Sequence, residues 1–395
     1  MKVPIYLDNH ATTQTDPRVL EAMLPYFSEK FGNAASRSHQ FGWEAEQAVE
    51  AAREQIAKVI GASSKEIIFT SGATESDNLA IKGVSEAYGK RGDHIITVAT
   101  EHKAVLDSCK HLEKHGYRVT YLPVTTDGLI SLEGLKNAFT DKTILVTIMY
   151  ANNEIGVLQP VVEIAKLCQE RDVLFHSDAV QAIGKIPVDV NRDRIDLMSI
   201  TAHKLYGPKG VGALYVRSKN PRVEIVAQID GGGHEQGMRS GTLNVPGIVG
   251  LGKACEIAIN EMPQESRRIA TLRDKLKMQL EQNLDDVHVN GSMEHRLPGN
   301  LSIRFDAVDS ESLLMGINDI AVSTGAACTA AKIEPSYVLK ASGLTDEEAN
   351  STLRFGIGRF NTEAEIDYAA ERVIETVRKL RELSFSFGTE RAVGQ

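Results

Sequence analysis

VLFHSDAVQAIG (173–184) and DLMSITAHKLYGPKGVGALYVRS (196–218) decide the fold. The first is a buried-looking strand that ends at a carboxylate, Asp178, with Gln181 three residues on. The second is a strand that runs directly into Lys204 and a turn rich in Gly and Pro. Outward from them the alternation holds. EIIFTSG (66–72), ESDNLAIKGVSEAYGKRG (75–92), HIITVATEH (94–102), AVLDSCKHLEKHG (104–116) and RVTYLPV (118–124) precede them, followed by TILVTIMYANNEIG (143–156) and VVEIAKLCQERD (161–172). Short strand-like runs alternating with longer amphipathic runs are the rhythm of βαβ units. Residues 16–263 are therefore expected to form a large α/β domain with a mostly parallel sheet and helices on both faces.

Beyond the helix GIVGLGKACEIAINEM (247–262) the pattern changes to a second, charged helix (266–283), strand candidates VHVNG (287–291) and NLSIRF (300–305), a helix at 311–319 and a strand-like TLRFGIGRF (352–360). This mixture predicts a smaller α+β domain over 264–395, to which residues 1–15 are assigned. The tail ELSFSFGTERAVGQ (382–395) has weak periodicity and is expected to be poorly ordered.

The chain has 395 residues, 44 Lys+Arg against 53 Asp+Glu, and thus a net charge of -9. No basic stripe advertises nucleic acid or an anionic membrane, and a small-molecule enzyme fits better. MKVPIYLDNHATT lacks a secretory apolar core and no run approaches the length of a membrane span, so a cytoplasmic protein is expected. Four scattered cysteines without a CxxC pair argue against a disulfide framework or a zinc knot, and no metal site is expected. Cys109, Cys168 and Cys255 lie in helical patterns as small buried hydrophobes, whereas Cys328 lies in STGAACTAA (323–331), which reads as an exposed loop.

Three places carry chemistry. Gly72, Ala73 and Thr74, where a strand feeds a helix, offer backbone N–H groups and a helix dipole to a phosphate, although the same residues serve equally as ordinary capping. Asp178 lies where an α/β sheet opens its ligand crevice and could hold a pyridinium nitrogen protonated; alternatively it caps the next helix. Lys204, flanked by Thr201 and His203, is a candidate Schiff-base lysine rather than a surface charge, because the adjoining turn, hydroxyl and imidazole supply phosphate donors in the same place.

Asp-x-x-Gln followed by Thr-x-His-Lys resembles the class V aminotransferase branch of pyridoxal-phosphate (PLP) enzymes, of fold type I. LDNHATT, TSGATESDN, TEHKAV, ANNEIG, HSDAVQ, TAHKLYGPKGVGALYV, MRSGTLN, TGAACT and EPSYVLKASGL, in that order, resemble the cysteine desulfurases of the NifS and IscS group from about residue 5 to 370.

The resemblance implies that Lys204 carries PLP and Asp178 pairs with its ring nitrogen. Gln181 would bond the phenolic oxygen, and His102 would stack on the ring and move protons. Ala73, Thr74, Thr201 and His203 would bind the phosphate, with Thr242 contributed across a homodimer interface. Asn153, in the cofactor pocket, and Arg354 would orient the L-cysteine substrate, the guanidinium gripping its carboxylate. The freed Lys204 would act as base at the substrate Cα, and Cys328 would take the sulfur as a persulfide, with His102 its nearest proton acceptor. Sulfur would then pass to an iron–sulfur scaffold protein or another acceptor, carried by a small-residue loop expected to be mobile. The loop resembles the longer-loop class, while SFSFGTERAVGQ does not match the IscS ending that docks a scaffold. Two rivals are an ordinary class V aminotransferase, which needs no Cys328, and a non-catalytic protein that kept the fold.

Overall fold

The computed structural model describes residues 3–324 and 334–393; Cys328 and its loop, with the mobility expected of it, lie outside the described residues. Seven strands form the central sheet in the spatial order Ile67–Thr70, Gly212–Val216, Leu197–Thr201, Leu174–Asp178, Thr143–Thr147, His94–Val98 and Arg118–Leu122. All run parallel except Gly212–Val216, which is antiparallel to both neighbours.

The apolar runs of these strands are continuous because both faces of the sheet are covered. Successive side chains point to opposite faces. Phe69, Val98, Val146, Phe175, Met198 and Tyr215 join one cluster with Ile56, Ile164, Leu251 and Ala258 from helices. Their neighbours Ile68, Ile95, Leu145, Leu174, Leu197 and Leu214 join another with Leu79, Val84, Val105 and Leu112. The expected α/β class with helices on both faces is the architecture found.

A third cluster gathers Ile5, Leu7, Leu301, Ile303, Phe305, Leu353, Phe355 and Val373. It covers a four-stranded antiparallel sheet in the order Ser323–Thr324, Thr352–Gly356, Asn300–Phe305, Val287–Val289. The N-terminal strand Ile5–Tyr6 pairs in parallel with Ile320–Ala321, which ties the first residues of the chain to this cluster.

One expectation is corrected. The helices read separately on either side of 263/264 are one helix, Val245–Asn283, which passes through Pro263. Its first half sends Ile248, Leu251, Cys255 and Ala258 into the first cluster, and its second half sends Ile269, Leu272, Leu276 and Leu280 into the third. Apolar residues at helical spacing on both sides of the proline hold the two halves in register, and that packing outweighs the one backbone hydrogen bond Pro263 cannot make. Glu363–Val393 is one helix, which takes in part of the tail. Ile366, Ala370, Val373 and Val377 seed it at helical spacing against the third cluster. Among the described residues no helix is long and apolar enough to cross a membrane.

Candidate active site

The C-terminal ends of the central strands open into a cavity of about 510 Å³. Into it face Ala73, Thr74, His102, Asn153, Asp178, Gln181, Thr201, His203, Lys204 and Arg354, together with His10, Ala11 and Thr12 from the N-terminal segment. Ten residues singled out from the sequence thus share one space. Thr242 is exposed and does not line it. Arg239, three residues before Thr242, is forked onto Glu75 (Nε–Oε1 2.7 Å), so this segment is tied to the helix that begins at Ala73.

At one end of the cavity the strand Ile67–Thr70 turns into the helix Ala73–Tyr88 through Gly72, whose φ of 152° lies in a region reserved for glycine. A Cβ there would meet only the Thr201 Oγ1, 3.8 Å away, so the missing side chain leaves a cradle between the helix N-terminus and Thr201. The first N–H groups of a helix of 16 residues point into that space, as an anionic phosphate requires. His203 stands beside it, its Nδ1 3.1 Å from the Thr12 hydroxyl; burial, then Lys204, Lys209 and Lys185, lower its pKa to about 4.

At the floor, Asp178 is 7% exposed. Its Oδ1 accepts from the Val180 N–H at 3.0 Å, the local capping bond anticipated as the alternative reading. Burial raises its pKa, while His102, the Val180 N–H and Lys204 oppose the rise. A buried acid destabilised by desolvation is relieved by a cation, and a protonated ring nitrogen facing Asp178 is such a cation. Behind it, Asp77 and Glu101 are fully buried, and burial, followed by repulsion from Asp178, holds the pKa of each well above the ordinary carboxyl range. Asp178 is thus the acid of this trio that reaches the cavity.

The Lys204 amine donates to the Ala11 carbonyl at 2.7 Å and to the His10 carbonyl. His102 caps the helix Lys103–Glu113, its Nδ1 accepting from the Ala104 N–H at 3.2 Å, so the ring is fixed in orientation. Burial depresses its pKa, Lys204 adds to that, and Asp178 counters, leaving a neutral imidazole whose Nδ1 is the acceptor and whose Nε2 therefore carries the hydrogen. Arg354 is 2% exposed: its Nη2 pairs with Asp8 at 2.8 Å and its Nη1 donates to the Asn153 carbonyl at 2.9 Å. The expected substrate grip is therefore only partly free. Two of five N–H donors are engaged within the protein, and Asp8 aims the guanidinium.

The described ends of the Cys328 loop stand beside this cavity. Ser323 pairs with Arg354 across the sheet and donates to Asp8 at 2.8 Å. On the far side the Ser336 hydroxyl donates to Glu154, and Tyr337 donates to the Glu101 carbonyl at 2.6 Å, next to His102. Burial pushes the Glu154 carboxyl up to about 7, against the pull of Ser336, Arg354 and Lys103. Below about pH 4.5 folded and unfolded chains both hold this proton. As pH rises the unfolded chain releases it first, so Glu154 costs stability progressively until both forms are ionised, by roughly 3 kcal/mol. E154Q is spared this loss. Its melting temperature minus that of the wild type is expected to grow from about pH 5 to about pH 8; a gap that stays constant across that range would contradict the account.

The sequence reading did not assign His10 or Asp8 a part, although both lie in LDNHATT. His10 is buried, presents its carbonyl to Lys204 and places Nδ1 3.0 Å from the Gln181 Oε1. Polar Asp, Asn and His among strand residues of an N-terminal segment were the available signal.

Comparison with known proteins agrees with this geometry. The family model described as Aminotransferase class-V matches residues 5–369. The cysteine desulfurase IscS of Anaeromyxobacter dehalogenans (strain 2CP-C) is 60% identical over 384 residues, covering 97% of this chain and 95% of that protein. The cysteine desulfurase IscS of Rickettsia bellii (strain OSU 85-389) is 58% identical over 382 residues, covering 97% and 93%. Among solved structures, a NifS-like protein superposes with a TM-score of 0.88 at 41% identity, covering 95% of this chain and 99% of that one. SspA in complex with cysteine superposes with a TM-score of 0.80 at 37% identity, covering 91% and 100%. The chain belongs to the class-V aminotransferase family.

Proposed function

We propose that this chain is a PLP-dependent cysteine desulfurase of the cytoplasm that converts L-cysteine to L-alanine and passes the sulfur, through Cys328, to an iron–sulfur scaffold protein or another sulfur acceptor. The observation that carries the reading is the convergence of Lys204, Asp178, His102 and Arg354 on one cavity beside a helix N-terminus. Its relatives among the cysteine desulfurases IscS, and the likeness to SspA in complex with cysteine, support the substrate.

The cavity fits PLP: the Gly72 cradle suits a phosphate, Asp178 a ring nitrogen and Lys204 an aldehyde carbon. Bound there, the cofactor supplies an electron-withdrawing ring that acidifies the substrate Cα. The protein does the rest. The N–H groups of Ala73 and Thr74, with Thr201 and His203, hold the phosphate. Asp178 keeps the ring nitrogen protonated, and Gln181 donates to the phenolic oxygen. Arg354 receives the substrate carboxylate and Asn153 orients it. Lys204, displaced by the substrate amine, takes the Cα proton. The Cys328 thiolate attacks the substrate sulfur, an S–S bond forms as the Cβ–S bond breaks, and protonation of the remaining carbon skeleton releases alanine. His102 accepts at Nε2 the thiol proton that makes Cys328 a nucleophile, which requires the imidazole tautomer protonated at Nδ1 and release of the Ala104 N–H cap.

Cys328 is four residues past Thr324, so its Cα can lie up to about 13 Å from that of Thr324, enough to serve a neighbouring cavity. A homodimer is supported by Leu24, Phe27, Phe31, Phe41 and Trp43, large apolar side chains exposed together in one short stretch of chain. In that dimer Thr242 contributes to the partner's phosphate site.

One turnover of PLP-loaded enzyme with L-cysteine, without reductant or keto acid, is expected to yield about one alanine per active site. Amino transfer to a keto acid in place of alanine formation would favour the aminotransferase rival and overturn the proposal.

A further inference from the structure

Gln181 stands in the wall between two spaces. One is the large cavity, which it lines with His10 and Lys204. The other is a small cleft lined by His10, Gly184, Lys185, Tyr206 and Glu265. Lys185 approaches Gln181 from the cleft side, its Nζ 2.8 Å from the Gln181 Oε1. It reaches there because the chain turns back at Gly184, which has φ 74° and whose Cβ would lie 1.9 Å from the Leu205 Cδ1.

We propose, on the reading of the cavity as a PLP site, that Lys185 is a positioning residue: from behind the wall it holds the Gln181 carboxamide with its oxygen turned away, so that an amide N–H faces the cofactor's phenolic oxygen.

An amide can flip, and the flip decides whether the cavity meets a donor or an acceptor. A lysine ammonium only donates, so it binds the oxygen and excludes the reversed amide. The orientation is doubly set. The Gln181 Oε1 also lies 3.0 Å from the His10 Nδ1, and its Nε2 donates to the His10 carbonyl at 3.0 Å, which leaves a second N–H. The same carbonyl accepts from Lys204, so Lys185, Gln181, His10 and Lys204 form one connected chain.

The charged and titratable groups facing Lys185 are few. His10 is neutral, its pKa depressed by burial and then by Lys185 and Arg354. Glu265 is held by Arg359 at 2.7 Å, and Arg354 by Asp8. Tyr206 is buried, with its pKa raised, and Lys204 stands across the wall. Among the described residues Lys185 has no carboxylate partner, and burial, then Lys204 and Arg354, push its pKa down to about 7. While protonated, below about pH 7, Lys185 is a cation without a counter-charge that disfavours a further proton on the Lys204 nitrogen, and an N–H on the phenolic oxygen does the same.

The test is a pH titration of the visible absorption of PLP-loaded wild type, K185M and K185R, with PLP content and melting temperature measured alongside. In K185M the pH midpoint of the band change is expected to rise by about one pH unit, the size of shift a nearby charge commonly produces, while K185R stays near the wild type. Should K185M not fold, K185Q replaces it on the same readout. Coincident midpoints in wild type and the neutral variant overturn the proposal alone, as does a K185R midpoint that moves as far as the neutral variant's. A wild type with no cofactor band overturns the reading of the site as well.

Discussion

Cys328→Ala is expected to slow alanine and sulfide release from L-cysteine by at least about a thousandfold, with PLP content unchanged. No other described cysteine can stand in. Cys109, Cys168 and Cys255 are buried at 0–1% exposure, and burial raises the pKa of each thiol, to about 12 for Cys255. None offers the thiolate that attacks sulfur. Because Arg354, His102 and the cofactor residues do not depend on the Cys328 side chain, the variant should still bind L-cysteine, seen as a change in its visible spectrum. Sulfide release within tenfold of the wild type would remove Cys328 from the reaction.

Lys204→Ala is expected to lose more, about ten-thousandfold or greater, because on the proposed reading one amine performs two tasks, joining the cofactor and moving the Cα proton. Both need the amine placed as found, drawn toward the carbonyls of His10 and Ala11 at the cavity edge. Addition of a small primary amine is expected to restore a measurable fraction of turnover, which a collapsed fold would not allow. A variant that keeps covalently bound PLP and normal alanine formation would show that another lysine carries the cofactor.

The central sheet was legible because its strands announce themselves: Ile67–Thr70, His94–Val98, Thr143–Thr147 and Leu174–Asp178 are short, apolar and separated by amphipathic runs. The site was legible where chemistry-bearing residues follow directly on such strands, as Asp178 and Lys204 do. Arg354 was harder. Within TLRFGIGRF it reads as a surface charge, and only its pairing with Asp8, 346 residues away, explains a nearly fully buried guanidinium. Lys185 carries no signal in the sequence, since its meaning depends on its bond to Gln181. The long helix through Pro263 was read as two because the local pattern changes there and does not show the two cores that hold its halves. Thr242 illustrates a different limit: it is exposed and does not line the cavity, and the part proposed for it in a second copy would leave no trace in the pocket of its own chain.

The most direct measurement is mass analysis of the peptide containing Cys328 after one turnover with L-cysteine in the absence of reductant. The account predicts one additional sulfur atom on Cys328, matched by one alanine per active site and absent when PLP is removed. Alanine formed with the extra sulfur on another cysteine, or with none on the protein, would contradict it.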